Sequence, residues 1–364
     1  MNALFSEKLS RIEHAGAALL PETATDPWMA ASFGTLPPGI HRDHIAPLIT
    51  PCRSLVDSGG KRWRPLVLVL VAELVRETVA EKNSTALSDA DTYTLTPLVE
   101  YAHTASLIHD DIEDASDMRR GLPAAHITYG IDTALNAASW LYFEAAACID
   151  SLPIPADARA QYYAHYLTAL RRLHLGQAMD IAWHRSPEQF PTRTEYTAMV
   201  QCKTGTLAAL AAQTGVLAGG GDIALAETAG AIAGEIGVGF QIMDDVRNLT
   251  VGNPGKRRGD DIVEGKKSLP LLCHVAAHPA DCTTIAHYFE TARRDGIASP
   301  AVEQCIALLT ASGAIDEAAQ EGRALIAKKS AELAALTDTP EAASAQALVA
   351  LFDQLSQPDG AAHA

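Results

Sequence analysis

Strand signals are nearly absent from this chain. Alternating Val, Ile and Thr bounded by turn pairs scarcely occurs, which argues against a sheet-based fold. Positive charge is also short: 28 Lys and Arg face 44 Asp and Glu, for a net charge of −16. A general nucleic-acid binder needs a basic surface to displace counterions, so no nucleic-acid partner is expected. Any anionic ligand must be met by a local cation cluster or by a metal. Cysteine is sparse and unpatterned. Cys52, Cys148, Cys202, Cys273, Cys282 and Cys305 show no CxxC spacing, so neither a disulfide ladder nor a zinc site is expected. The longest apolar run beside a basic cluster, Leu66 to Ala72, is far shorter than the roughly 20 residues that span a bilayer, and no stable membrane insertion is expected. Glu7, Lys8, Arg11 and Glu13 punctuate the first 20 residues, which read as an amphipathic helix and not a signal peptide. The expected compartment is therefore cytoplasmic.

What is present is helical. Hydrophobic residues make up 48% of 364, enough for a sizeable core. Ala-, Leu- and Glu-rich stretches with helical spacing recur between breakers such as Ser58-Gly59-Gly60, Gly121-Leu122-Pro123, Gly219-Gly220-Gly221 and Gly252-Asn253-Pro254-Gly255. They predict about ten helices. Segments 63–80, 95–115, 132–150, 157–183 and 223–250 are apolar enough for the middle of a bundle. Residues 21–45, rich in Pro, Gly and His, read as a linker behind the first helix. The expected organisation is an N-terminal helix and linker over 1–43, then one all-α domain over 44–364.

Chemistry is concentrated in a few motifs. Asp110-Asp111-Ile112-Glu113-Asp114 closes an otherwise apolar helix, with Asp110 and Asp114 one turn apart on the same face. Like charges there repel and call for a cation. Asp244-Asp245-Val246-Arg247-Asn248 ends a second apolar helix and repeats the spacing with Asp244 and Asn248. Hard oxygen donors in small number suit Mg²⁺, which keeps positions open for water and phosphate. Cations recur beside glycine: Gly59-Gly60-Lys61-Arg62-Trp63-Arg64, Arg119-Arg120-Gly121, Lys203-Thr204-Gly205, Lys256-Arg257-Arg258 and Gly265-Lys266-Lys267. Arginine forks bind phosphate oxygens bidentately. Together these residues describe a deep apolar helical cavity with a magnesium–diphosphate site at its mouth. A greasy diphosphate is the implied substrate, because ionising its carbon–oxygen bond needs metal on the leaving group and a dry pocket.

In this order the motifs GGKRWRP, DDIED, RRG, KTG, DDVRN and EGKKSLP resemble those of the trans-isoprenyl diphosphate synthases, the polyprenyl synthetase family, from about His44 to Lys328. The resemblance implies one large helical bundle around a central cavity, normally a homodimer. It implies that Asp110, Asp114 and Asp244 are Mg²⁺ ligands supported by Asp111 and Asp245. Lys61, Arg64, His103 and Arg120 match the isopentenyl diphosphate site. Arg119, Lys203, Thr204, Gln241, Lys256 and Lys266 match residues that hold the allylic diphosphate or stabilise the cation beside it. Asn248 departs from the third aspartate of many members, but the DDxxNL form is that of eukaryotic-type geranylgeranyl diphosphate synthases. The stretches YGIDTALNAASWLYF and LHLGQAMDIAWH resemble the same subgroup.

Product length follows from the residues below the first acidic motif. Ser106, Ala105 and Ala102 are small, so nothing there stops a fifteen-carbon chain. By the same resemblance, Tyr142, Phe143 and His174 match a bulky floor, and geranylgeranyl diphosphate is the expected product. A farnesyl or longer-chain synthase is the alternative within the family. A terpene cyclase would not need Lys61, Arg64 and His103. An HD-type phosphohydrolase built on His109-Asp110 has no use for the second acidic motif. A silent regulatory subunit would have lost an acidic motif.

Overall fold

A computed structural model describes residues 3–79, 86–252, 257–337 and 339–356. The described residues form eighteen α-helices and one two-residue hairpin. They divide into two compact units. Unit 1 holds the described residues up to Thr168 with Leu210–Glu227, and unit 2 holds Ala169–Ala209 with the described residues from Thr228 onward.

Unit 1 contains α1 (Ala3–Leu19), α2 (Asp26–Phe33), α3 (Arg42–Asp57), α4 (Trp63–Val79), α5 (Asp89–Thr94), α6 (Thr96–Glu113), α7 (Ala125–Tyr129) and α8 (Ile131–Asp150). The first part of α9 (Ala156–His184) and most of α11 (Thr206–Ala218) join it. Its centre is α4, where Leu66 through Ala72, Leu74 and Val75 are all 0% exposed. A helix apolar all round has no other place than the middle of a bundle. Between α6 and α7, strand β1 (Met118–Arg119) pairs antiparallel with β2 (Leu122–Pro123), Arg119 opposite Leu122. The two-residue turn is Arg120-Gly121, at φ +51° and +79°, the positive pair that a type I′ turn requires.

The N-terminal segment is part of this unit's packing. Phe5, Ile12 and Leu20 are buried, Lys8 pairs with Glu73, and the Arg11 guanidinium lies 3.7 Å over the Tyr93 ring. The stretch expected as a linker contains α2, started by Thr25, whose hydroxyl accepts from Trp28 N–H at 3.3 Å, and by Pro27 in the first turn. Trp28 and Phe33 then pack against Trp140 of α8.

Unit 2 contains the rest of α9, α10 (Arg193–Val200), α12 (Ile223–Thr250) from Thr228 onward, α13 (Asp260–Glu264), α14 (Leu269–Ala277), α15 (Cys282–Asp295), α16 (Pro300–Ala311), α17 (Ala314–Ala334) and α18 (Ala343–Ser356). A π-helical turn, Gln201–Gly205, joins α10 to α11. By length and composition α12 could cross a membrane. Within unit 2 its Ala229, Ala233, Ile236, Val238 and Ile242 are buried. This helix also runs on through its acidic motif, ending two residues later at Thr250.

Candidate active site

The end of α6 carries the first acidic motif. Its cap is of the Schellman type: Ser116 N–H donates to Asp111 O at 2.9 Å and Ala115 N–H to Ile112 O at 3.3 Å, with Ala115 at φ +53°. The macrodipole makes this the negative end of the helix, the wrong end for Asp110, Asp111, Glu113 and Asp114. The two expected ligands, Asp110 and Asp114, are half-buried, while Asp111 is buried. Arg119 answers Asp111 with Nε at 2.8 and 3.1 Å from its two oxygens and with Nη2 on Oδ1. Burial opposes the Arg119 charge, but Asp111, then Asp110 and Asp114, outweigh it and raise its pKa.

Beside this end stand the residues expected to hold isopentenyl diphosphate. Burial pushes Arg64 down to about 10, with Glu100 supporting its charge and Arg120 opposing it. Arg120 falls to about 10 for the same first reason, with Arg62 and Arg119 adding to it. His103 is driven well below its ordinary value by burial, then by Arg64, Arg120, Arg119 and Arg62. The imidazole is therefore neutral at pH 7 and offers one N–H donor. Arg64 rests on Trp63, 4.6 Å from the ring, and its Nε is buried without a hydrogen-bond partner. Arginine does not shed its proton, so these crowded guanidiniums form a site that an anion relieves. Lys61 lies on the same turn.

The chain-length residues separate. Ala102 and Ala105 are fully buried on the face of α6 that meets α8, and His109 on that face is 5.5 Å from the Tyr142 ring and parallel to within 10°. Its ring nitrogens lie 3.1 Å from Ala105 O and 3.3 Å from Ser139 Oγ, so His109 serves the packing of α6 on α8 and not an HD-type centre. Ser106 is half-buried and donates to His103 O at 2.7 Å. Of the three floor residues only Tyr142 is buried in the chain. Phe143 is 76% exposed, because one residue along a helix turns about 100° and the buried face of α8 is Ala134, Ala138, Leu141, Tyr142 and Ala145. His174, in unit 2, is exposed on α9. Neither Phe143 nor His174 forms a floor inside its own unit.

Unit 2 builds its site on the π-turn. Lys203 donates to Asp180 Oδ2 at 2.6 Å, and Thr204 Oγ1 donates to Gln241 Oε1 at 2.9 Å. Gln241 Nε2 in turn donates to Asp245 Oδ1 at 3.0 Å, and Tyr196 OH and Leu269 N–H donate to Asp245 Oδ2 at 2.6 and 3.0 Å. Burial still lifts Asp245 to about 6. Close helix approach sets this arrangement: a Cβ on Gly176 would lie 2.3 Å from Lys203 N, and one on Gly205 2.7 Å from Gly234 O. Asp244 is exposed. Asn248, one turn further along the same helix, is 0% exposed, and its Oδ1 accepts from Asp261 N–H at 3.3 Å. Its amide oxygen ties α12 to the first turn of α13. Lys266 pairs with Glu264 at 2.6 Å. Lys256 lies outside the described residues. Sequence reasoning missed Asp180, Tyr196, Arg62 and Glu100, each recognisable only by its partner across the fold.

A model of the polyprenyl synthetase family matches residues 46–308. The chain belongs to the polyprenyl synthetase family. Among its relatives, a geranylgeranyl diphosphate synthase of Methanosarcina mazei is 35% identical over 241 residues, 63% of this chain and 70% of that one. A geranylfarnesyl diphosphate synthase of Natronomonas pharaonis is 33% identical over 233 residues, 62% and 68%. The crystal structure of a geranylgeranyl pyrophosphate synthetase from Pyrococcus horikoshii has a TM-score of 0.77 at 26% identity, covering 98% of this chain and 97% of that one. The helical fold is thus that of the polyprenyl synthetases, and the chain is a trans-prenyltransferase.

The family's diphosphate chemistry implies Mg²⁺, and the donors fit it. Asp110, Asp114 and Asp244 offer only carboxylate oxygens at partly or fully exposed positions. Among the described residues no group of three or more His, Cys, Asp or Glu forms a protein-only metal cage. A hard cation held by either acidic motif would draw the rest of its shell from water and phosphate, as Mg²⁺ does.

Proposed function

We propose that the chain condenses an allylic diphosphate with isopentenyl diphosphate, with geranylgeranyl diphosphate as main product. The observation that carries this is the arginine cluster of unit 1: Arg64 with an unpartnered buried Nε, Arg120, and a neutral His103 within the field of both. Two diphosphate substrates need two cation sets, and each unit has one. Lys61, Arg64, His103 and Arg120 hold isopentenyl diphosphate. Lys203, Thr204, Gln241 and Lys266 hold the allylic diphosphate, with Lys256 and Arg119 assigned there by the family motif. Mg²⁺ bound by Asp110, Asp114 and Asp244 would neutralise charge on the departing diphosphate. The Thr204 hydroxyl and Gln241 amide, fixed by their mutual hydrogen bond, are preorganised dipoles for positive charge on the allylic carbon. The double bond of isopentenyl diphosphate attacks that carbon, and the proton is lost to diphosphate.

The twenty-carbon product rests on Tyr142 as the bulky buried residue behind a small Ala102–Ala105–Ser106 wall. The geranylfarnesyl relative makes a twenty-five-carbon product the second reading. The working form is a homodimer. Ile131, Leu135 and Phe143 recur on one face of α8 at 58, 44 and 76% exposure, and a second copy of the chain is the partner that would cover it. Incubation of the purified chain with Mg²⁺, isopentenyl diphosphate and each allylic primer, followed by product analysis, tests this. Hydrolysis or cyclisation without elongation would refute it.

A further inference from the structure

The turn that carries Lys61 and Arg64 has an unfavourable backbone. Gly59 and Gly60 stand at φ +89° and +144°, and Arg62, which has a Cβ, at φ +47°. A left-handed non-glycine residue costs about 1–3 kcal/mol and persists only where its surroundings over-determine it. They do so here. The Arg62 side chain turns inward and is 6% exposed. Its Nη1 donates to Glu100 Oε1 at 2.6 Å and its Nη2 to Val56 O at 2.5 Å. Its carbonyl accepts Leu66 N–H at 3.2 Å and so starts α4. Glu100 is equally buried and lies on α6 one turn before His103. On the other side, Arg120 Nη1 donates to Leu55 O at 2.9 Å and to Gly59 O. A Cβ at Gly60 would lie 3.0 Å from Arg120 Nη2 and press on that arginine, and the φ of +144° already favours glycine there.

We infer that the buried Arg62–Glu100 pair is a positioning element that locks the Lys61–Arg64 turn in register with His103. The inference rests on the assignment of these three residues to isopentenyl diphosphate. Arg62 cannot itself bind the substrate, because its guanidinium is buried and consumed by Glu100 and Val56. It acts through its neighbours. One fork holds the carbonyl that ends α3, the carboxylate of α6 and, through its own backbone, the start of α4. Lysine would keep the charge but could not reach two acceptors as a planar fork does. Glu100 has a second effect: its carboxylate supports the charges of Arg64 and Arg120.

The test is two-substrate kinetics on the full-length chain as wild type, Arg62→Lys, Glu100→Gln and the double variant Arg62→Met/Glu100→Met. Replacing a buried ion pair by apolar residues of similar size is often neutral for folding, so the double variant should keep its thermal transition. Its KM for isopentenyl diphosphate should rise about tenfold or more, the worth of a charge-assisted contact, with the primer KM moving less than about twofold. Arg62→Lys should fall between. If the double variant fails to fold, Glu100→Gln, which keeps an oxygen for Arg62, decides by the same two constants. An unchanged KM for isopentenyl diphosphate, or equal rises for both substrates, overturns the inference. Failure of the wild type to use isopentenyl diphosphate with any primer would instead overturn the site assignment beneath it.

Discussion

In both acidic motifs one aspartate turns inward and its neighbour outward, but the two inward carboxylates are satisfied differently. Asp111 in unit 1 meets a guanidinium, with three contacts from Arg119. Asp245 in unit 2 meets only neutral donors, from Gln241, Tyr196 and Leu269. Three hydrogen bonds do not offset its burial, and it sits at about 6. A counter-charge and a set of dipoles thus do the same structural task at different electrostatic cost. Unit 1 concentrates formal charge, and unit 2 spreads it through a relay from Thr204 to Tyr196.

The outward aspartates break the comparison most forcefully. Asp110→Ala and Asp244→Ala should each lower kcat by about a hundredfold or more, since the Mg²⁺ proposed to bind there would be worth several kcal/mol. Neither should lower the melting temperature much, because each removes a carboxylate from a like-charged helix segment. Turnover with Mg²⁺ and a thermal melt decide together. Substantial activity in either variant would sink the metal assignment.

The inward pair sharpens it. Asp111→Asn takes from Arg119 its nearest counter-charge, with Asp110 and Asp114 remaining, and should cost about 1.5–3 kcal/mol in denaturant unfolding. Asp245→Asn keeps an oxygen for Tyr196 and Leu269 and should cost about 1 kcal/mol. Equal losses would mean that Arg119 is not tied to Asp111 in solution.

How much of this was legible in sequence depends on the kind of question. Glycine turns, apolar stretches and acidic breaks marked α4, α6, α8 and α12 to within a residue or two, because each pattern is local. Lys61, Arg64, His103 and Arg120 were legible as a motif. The direction of adjacent residues was not. Asp110 and Asp111 differ by about 100° of helix rotation, and Arg119, nine residues on from Asp110, decides which goes in. Phe143 and Tyr142 pose the same problem on a helix apolar on most sides, and the hydrogen bond from Asp261 N–H to the Asn248 side chain could not be foreseen from the spacing of Asp244 and Asn248. The short α2 was hidden by its Pro- and Gly-rich surroundings, although Thr25-Asp26-Pro27 was a start signal.

A smaller effect is expected in product length. Ala105 is fully buried against α8, so Ala105→Phe would overpack that contact as well as narrow the channel. Ser106, one residue round the helix and half-buried, is the cleaner position. Ser106→Phe should shift product from twenty carbons toward fifteen with folding intact. Tyr142→Ala should lengthen it. Chromatography of the dephosphorylated products reads both, and a twenty-carbon product from both variants would remove Ser106 and Tyr142 from the channel.

The smallest expected effect is a change of slope. Lys267, beside Lys266, is 3% exposed, lies 5.1 and 4.3 Å from the Phe190 and Phe289 rings, and donates to Pro187 O at 3.3 Å. Burial, then Arg293, lowers it to about 8. Its unfolded value is near the ordinary lysine value of about 10.4. Between those two values the unfolded chain binds more protons than the folded one, so stability rises with pH. Below about 8 the buried ammonium is charged in both states and its full cost is present. Lys267→Met removes this dependence and leaves every other titrating group in place. The wild type should therefore gain stability relative to Lys267→Met as pH climbs from 8 toward 10, while the difference stays flat between pH 6 and 7. Parallel unfolding curves across that range would mean that the Lys267 ammonium is reached by water and keeps its ordinary pKa. Among the described residues of unit 2 there would then be no dry lysine or arginine to set against the Arg62 of unit 1.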